Sequence, residues 1–155
     1  MGVGRLGGIA TRDRSRGEMQ HGIERVHASR AAGIAGDFRG ALAARRNKFK
    51  RQVSLIEAES WAIAMAELRL DLPWWVRRCN LLLEGIRLPR QDGYVVQIGG
   101  ACRLLITVEC DPCSRMEEIA RGLEAALTPD WRGGFLAEVI ADGDIAVGDQ
   151  IRIEL

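Results

Sequence analysis

The sequence predicts a mostly β-stranded domain, a compact barrel of short, largely antiparallel strands with about two amphipathic helices. Eighteen glycines divide the 155-residue chain into many short apolar runs, a pattern typical of strands separated by tight turns. Two segments instead repeat their apolar residues at helical spacing. The length, with 47% hydrophobic and 28% charged residues, predicts a single globular domain over residues 1–155.

Strands are predicted where short apolar runs lie between turn residues. The first two, residues 3–11 and 18–28, are separated by a charged turn whose three arginines we interpret as a solvated loop, with anion contact as the less favoured alternative. Six further strands are predicted at residues 50–56, 80–83, 94–98, 103–108, 135–140 and 150–155. The strands at residues 94–98 and 103–108 are predicted to form a hairpin through Gly99 and Gly100. The segment between the last two is predicted as turns.

Two helices are predicted from apolar residues spaced three or four apart. They cover residues 57–70 and 114–127, with apolar faces formed by Trp61, Met65 and Leu68 and by Ile119, Leu123 and Leu127. Because each helix is amphipathic, we expect each to pack its apolar face across an end or a face of the barrel.

Charge and hydropathy argue against two classes of partner. The 22 lysines and arginines offset 21 acidic residues, so neither nucleic acid nor a membrane surface is an expected partner. The sequence has no run of about 18 uncharged apolar residues, and residues 1–10 are too short and too rich in glycine for a signal peptide. A cytoplasmic location is therefore expected.

The chain has four cysteines, at positions 79, 102, 110 and 113. Without an export signal they are expected to be reduced rather than paired in disulfides. Cys110 and Cys113 form a Cys-x-x-Cys pair, but Cys79 and Cys102 are isolated and both histidines lie far upstream. Zinc is therefore not expected.

Cys113 is the strongest candidate for a reactive residue. It precedes the sequence Ser114-Arg115-Met116-Glu117, which has the form of a capping box and predicts that a helix begins there. The positive end of the helix dipole, together with Arg115, would lower the pKa of the thiol below the value of about 8.5 for free cysteine. The alternative is that Cys113 is a buried, inert thiol, as most free cysteines are.

Six motifs occur in a fixed order and cover most of the chain from about residue 19 to residue 155. They are GIAGD at 33–37, RQVSLI at 51–56, RRCNLLLEGI at 77–86, IGGA at 98–101, CDPCSRM at 110–116 and a closing segment at 137–149. In this order they resemble the signatures of the MOSC domain, which is shared with the C-terminus of molybdenum cofactor sulfurases.

The resemblance implies a β-barrel similar to that of pyruvate kinase and a function with molybdenum cofactor (molybdopterin). Family members carry sulfur for the sulfuration of this cofactor, or reduce N-hydroxylated compounds with a cysteine thiolate bound to molybdenum. Cys113 matches that cysteine and is implied as a persulfide carrier or a molybdenum ligand. The family is also associated with pyridoxal phosphate binding.

The resemblance also indicates residues that bind the cofactor. Arg78 and Asn80 match an Arg-x-Asn pair that contacts the pterin or its phosphate in relatives. Arg51, Arg77 and Arg115 are further candidates, since guanidinium groups suit a phosphate. An ordinary ion pair with a nearby carboxylate is the alternative for Arg51 and Arg78.

Three functions remain open at the level of sequence. The first is sulfur transfer or molybdenum-dependent reduction through Cys113, with a sulfur donor such as a cysteine desulfurase as a partner. The second is a non-catalytic binding module for an anionic metabolite or a pterin cofactor. The third is a redox-active pair formed by Cys110 and Cys113. Because better characterised relatives carry an additional N-terminal β domain that is not expected here, the pocket could require a second protomer.

Overall fold

The computed structural model describes residues 2–154 and confirms the mostly β architecture. The strands are β1 (Val3–Ile9), β2 (Arg25–Ser29), β3 (Gly33–Ile34), β4 (Val53–Glu57), β5 (Leu81–Glu84), β6 (Val95–Ile98), β7 (Cys102–Glu109), β8 (Phe135–Ala141), β9 (Gly143–Ala146) and β10 (Gln150–Glu154). The helices are α1 (Phe38–Arg46), α2 (Ala58–Leu68), α3 (Arg115–Ile119) and α4 (Leu123–Leu127), with 3-10 turns at Phe49–Arg51, Trp74–Arg77 and Pro129–Trp131. No helix within residues 2–154 is long and apolar enough to cross a lipid bilayer.

Seven strands close into a barrel in the order β1-β10-β6-β7-β8-β4-β5, and β5 pairs with β1. All neighbouring strands in the barrel are antiparallel except β4 and β5. A parallel pair requires a crossover connection, and α2 lies in the segment that connects these two strands. The strands β3, β2 and β9 form a separate three-stranded sheet.

Helices α2, α3 and α4 cover one outer face of the barrel and create a second apolar core there. Every residue of β4 is buried, because Val53 and Leu55 pack into the barrel interior while Ile56 packs against the helices. Trp61 and Met65 of α2 belong to this outer core. Both predicted helical segments therefore pack across a face of the barrel, as expected from their amphipathic spacing.

The prediction of one continuous helix over residues 114–127 is wrong. The chain breaks between α3 and α4, where Ala120 is extended and Gly122 has a left-handed φ of 87°. Ser114 makes no side-chain capping bond. The carboxylate of Glu117 instead accepts hydrogen bonds from the backbone N–H groups of Gly122 and Glu124 at 3.0 Å. With five residues, α3 has too few aligned peptide dipoles to support the capping argument for Cys113.

Three further elements differ from the prediction. Residues 18–28 do not form a barrel strand, because β2 begins at Arg25 and pairs with β3 and β9. Strand β9 occupies the segment that was predicted as turns. Helix α1 was not predicted because its sequence, FRGALAARR, contains more basic than large apolar residues. The predicted end of the last strand at Leu155 lies outside the described residues.

A buried ion pair joins the end of β4 to the segment between β5 and β6. The carboxylate of Glu57, which is 3% exposed, accepts two hydrogen bonds from Arg90 at 2.7 and 2.8 Å. It also accepts from the backbone N–H of Leu88 at 2.7 Å and from the hydroxyl of Ser60 at 3.1 Å. The carboxylate thus replaces its lost hydration with four protein donors.

We expect Glu57→Ala to lower the free energy of unfolding by about 3 kcal/mol, because it removes the close partner of the buried Arg90 charge and leaves only Asp130 at 3.6 Å. Urea denaturation would measure the loss. The matched control is Glu154→Ala, which removes the more exposed partner of Arg103 and should cost far less, since solvent already screens that pair. Equal losses for the two variants would contradict this account of the buried pair.

Candidate functional site

A pocket of about 380 Å³ brings together arginines and cysteines that are far apart in the sequence. This volume lies in the range of about 300–1,000 Å³ that is typical of small-molecule sites. Its lining includes seven arginines and three cysteines, namely Arg12, Arg16, Arg39, Arg51, Arg77, Arg78, Arg115, Cys79, Cys110 and Cys113. They come from the loop after β1, from α1, from two 3-10 turns, from the loop after β7 and from the start of α3.

The pocket concentrates positive charge that the protein does not neutralise with ion pairs. Among residues 2–154, none of these seven arginines forms a salt bridge. Burial, together with neighbouring guanidinium groups, lowers the pKa of Arg12 and of Arg78 from the usual value. The positively charged guanidinium groups in the pocket repel one another, so the binding of an anion there would be favourable.

The buried carboxylate of Asp37 fixes the segments that carry two of the arginines. One of its oxygen atoms accepts from the backbone N–H of Arg12 at 3.0 Å, and the other accepts from the backbone N–H of Arg39 at 3.2 Å. The backbone N–H of Phe38 also donates to the carbonyl of Arg12 at 2.7 Å. Asp37 therefore caps α1 and positions both arginines at the pocket.

Arg78 lies in the pocket, while Asn80, two residues later, does not line it. Arg78 adopts a left-handed backbone conformation with φ of 72°, which is uncommon for a residue other than glycine. The amide of Asn80 is buried, accepts from the backbone N–H of Ser54 at 3.1 Å and donates to the carbonyl of Ala10 at 3.1 Å. The structure thus places Arg78 where a ligand could lie and uses Asn80 to connect strands.

Arg77 is buried and its hydrogen bonds are made within the protein. Its guanidinium donates to the carbonyls of Gly133 and Cys110 at 3.1 and 2.9 Å, and its Nη2 lies 3.4 Å from the Cys110 Sγ. Although burial opposes the charge, the nearby sulfur atoms of Cys79, Cys110 and Cys113 raise the pKa of Arg77. Arg77 is therefore a buried cation that directly contacts the sulfur of Cys110.

The other predicted site residues lie at the solvent side of the pocket. Cys113, Arg51 and Arg115 are exposed, and all three line it. The loop after β7 carries Cys113, whose carbonyl accepts from the backbone N–H of Met116 at 2.9 Å. Within residues 2–154, no group of three or more histidine, cysteine or acidic side chains is arranged to hold a metal ion.

Cys79 and Cys110 line the pocket together with Arg77. The hydrogen bond from Cys79 is the largest cause that lowers the pKa of Cys110, with Arg77 as a further cause and burial as an opposing one, and the value falls to about 6. The same hydrogen bond and complete burial raise the pKa of Cys79 well above its usual range. Cys110 therefore ionises before Cys79, since the pKa of Cys110 is lowered and that of Cys79 is raised.

Sequence reasoning did not assign Arg12, Arg16, Arg39, Cys79 or Cys110 to the cofactor site. The charged turn at residues 12–17 was interpreted as a solvated loop. This holds for Arg14, which is exposed and pairs with Asp13. Arg12 and Arg16 of the same turn instead line the pocket. The density of arginines in that turn was the available signal. No signal in the sequence indicated that Cys79 would meet Cys110, since 31 positions separate them.

Comparisons with known proteins identify the family and the fold. A model of the MOSC domain matches residues 24–152. The YuaD protein of Bacillus subtilis is similar in structure, with a TM-score of 0.76 and 20% identity over 99% of this chain and 98% of that chain. YiiM from Escherichia coli has a TM-score of 0.68 and 13% identity over 97% of this chain and 70% of its own. No curated protein matches the chain.

We expect Asn80→Ala to lower the free energy of unfolding by about 2–4 kcal/mol, because the Ser54 N–H and the Ala10 carbonyl lose a partner and each unpaired buried group costs about 1–3 kcal/mol. Chemical denaturation would measure it. Gln97→Ala is the control, since its amide donates to backbone carbonyls in a more exposed hairpin. An unchanged stability of Asn80→Ala would contradict the structural role of this residue.

Alkylation of Cys110 by iodoacetamide should rise with pH around a midpoint near 6, because the thiolate is the reactive form and the pKa of Cys110 is lowered to about 6. Cys79→Ala removes the thiol donor and should move this midpoint upward. Cys102→Ala is the control, because Cys102 lies elsewhere in the core and burial raises its pKa to about 12. Mass spectrometry of the labelled peptide gives the rate at each pH. A midpoint that Cys79→Ala leaves unchanged would contradict the hydrogen bond.

Proposed function

Because this chain belongs to the MOSC domain family, we propose that it is a sulfur carrier for molybdenum cofactor, with Cys113 as the residue that holds a persulfide. The observation that supports this best is an exposed thiol in the lining of a pocket whose seven arginines form no salt bridge among residues 2–154. A protein donor can reach such a thiol, while the pocket can hold an anionic acceptor. The cytoplasm remains the expected location for this activity.

The residues of the pocket fit the chemistry of molybdenum cofactor. Arg51, Arg78 and Arg115 would hold the phosphate of the pterin, since guanidinium forks bind phosphate oxygens in pairs. Cys113 offers a soft sulfur ligand that suits a thiophilic metal. When bound, the cofactor would supply a molybdenum centre that accepts sulfur. Arg77 would keep the loop after β7 in place beneath it, through its bonds to Cys110 and Gly133.

The transfer of sulfur to Cys113 needs no external oxidant. The thiolate of Cys113 attacks the terminal sulfur of a donor persulfide, as on a cysteine desulfurase. A new sulfur–sulfur bond forms at Cys113 while the donor's bond breaks, and the donor leaves as a thiolate.

The same residues would serve a molybdenum-dependent reduction of N-hydroxylated compounds, the other activity that the family resemblance implied. A non-catalytic module for an anionic metabolite is a second candidate, and a specific observation favours it. A neighbouring pocket of about 320 Å³ shares Arg12, Arg39, Arg51 and Arg115 with the first and has Phe38 and Leu42 in its lining. The described lining of this neighbouring pocket contains no cysteine, and it offers both positive charge and apolar contact to an anion.

The proposal is tested with protein purified from a host that makes molybdenum cofactor. We expect bound molybdenum and pterin fluorescence, and sulfane sulfur after incubation with a cysteine desulfurase and cysteine. Cys113→Ser should lose at least about tenfold of the sulfane sulfur, because it removes the nucleophile. Arg78→Gly should lose pterin but keep its fold, since glycine readily adopts the left-handed conformation that Arg78 has. Metal analysis, fluorescence and a cyanolysis assay give the three readings.

Arg87→Ala is the matched control, because Arg87 is exposed and pairs with Asp130 outside the pocket. It should resemble the unmodified protein in all three readings. Retention of sulfane sulfur by Cys113→Ser would overturn the carrier proposal. Loss of anion binding in Arg78→Gly together with an absence of sulfane sulfur in the unmodified protein would favour the non-catalytic module.

A further inference from the structure

The pocket contains a second sulfur site that the proposed function does not use. It consists of Cys79, which follows Arg78 between the 3-10 turn Trp74–Arg77 and β5, and Cys110, at the start of the loop that carries Cys113. Both line the pocket together with Arg77. The two cysteines lie 31 positions apart in the sequence, so the fold alone brings them together.

Contacts of Arg77 hold Cys110 in a defined position. The guanidinium reaches the Cys110 Sγ at 3.4 Å and the Cys110 carbonyl at 2.9 Å. Its third bond, to the Gly133 carbonyl at 3.1 Å, ties the same group to the start of β8. A thiolate at Cys110 thus faces a fixed positive charge, while the thiol of Cys79 donates a hydrogen bond to it.

The two cysteines differ in their access to solvent. Cys110 is partly exposed at the pocket, whereas Cys79 is 1% exposed and packs in the outer core. A small reagent that enters the pocket therefore meets Cys110 first. The pKa directions agree with this order, since that of Cys110 is lowered and that of Cys79 is raised.

We propose that Cys110 is an oxidation site for hydroperoxides and that Cys79 is its resolving thiol. This modification site is distinct from Cys113 and does not depend on the proposed sulfur transfer. The geometry that carries the inference is the placement of both cysteines in the lining of one pocket, with the Cys110 Sγ 3.4 Å from Nη2 of Arg77.

The chemistry balances with hydrogen peroxide as the oxidant. The Cys110 thiolate attacks one peroxide oxygen, the O–O bond breaks, and hydroxide leaves, so that Cys110 becomes a sulfenic acid. The thiol of Cys79 then gives up its proton and attacks the Cys110 sulfur. A disulfide forms and the sulfenic oxygen leaves as water. The two sulfur atoms together lose two electrons, and the peroxide gains them.

The disulfide would change the site where the sulfur carrier acts. It would connect the turn that bears Arg78 to the loop that bears Cys113, and it would remove the anionic sulfur that Arg77 contacts. The guanidinium of Arg77 would then lack its sulfur partner inside an already cationic pocket. Oxidation therefore links the redox state of the cell to the geometry of the anion site.

The experiment uses the reduced full-length protein without cofactor, treated with hydrogen peroxide, quenched by alkylation and digested without reductant. Mass spectrometry should find the peptides of Cys79 and Cys110 joined, with a loss of two hydrogens. Cys113→Ser should form the same bond to the same extent, and Cys102→Ser should too. Cys79→Ala should form no such bond and should instead yield a Cys110 sulfenic acid that dimedone traps.

A disulfide between Cys110 and Cys113, or oxidation of Cys113 before Cys110 in the unmodified protein, would overturn the proposal. The peptide map of the unmodified protein gives this answer even if Cys79→Ala fails to fold. Retention of sulfane sulfur by Cys113→Ser, with the Cys79–Cys110 bond formed, would overturn the carrier proposal alone. Loss of sulfane sulfur in Cys113→Ser, with no Cys79–Cys110 bond in the unmodified protein, would overturn this one alone.

Discussion

The structure around the site depends on the hydrogen bonds of Asn80. Its side chain joins Ser54 of β4 to the Ala10 carbonyl after β1, and its backbone carbonyl accepts from Ala10 at 2.8 Å. Its backbone N–H donates to Ser54 at 3.0 Å. Asn80 therefore fixes the segment between the 3-10 turn Trp74–Arg77 and β5, where the barrel closes between β1, β5 and β4. Since these groups are buried, the network is worth more than its individual bonds would be in water.

The cost of this arrangement is a high local density of positive charge. Residues from five separate segments bring seven guanidinium groups to one cavity, and burial with mutual repulsion lowers the pKa of Arg12 and Arg78. The carboxylate of Asp37 accepts hydrogen bonds from the backbone N–H groups of Arg12 and Arg39. It therefore positions these arginines without forming an ion pair with them. Electrostatic repulsion is tolerated where binding of an anion would relieve it, which is the expected property of a preorganised site.

The three pocket cysteines have different environments and hence different chemistry. Cys113 is exposed, Cys110 is partly exposed beside Arg77, and Cys79 is buried. An exposed thiol can exchange with another protein, while a thiolate held inside a cationic pocket meets small molecules. Because all three residues are cysteines, their different chemistry arises from their different burial and from the guanidinium of Arg77.

The sequence by itself determined the mostly β fold, the hairpin at Gly99, the position of α2 and the family to which the chain belongs. These features rest on local periodicity and on ordered motifs, which a sequence displays directly. It did not predict α1, whose start depends on the cap that Asp37 provides, or the break at Gly122. Only the tertiary structure decided which arginines share the pocket, that Asn80 connects strands, and that Cys110 pairs with Cys79. Contacts of this kind join residues distant in sequence, and their energies depend on burial and distance, which exist only after the barrel has closed.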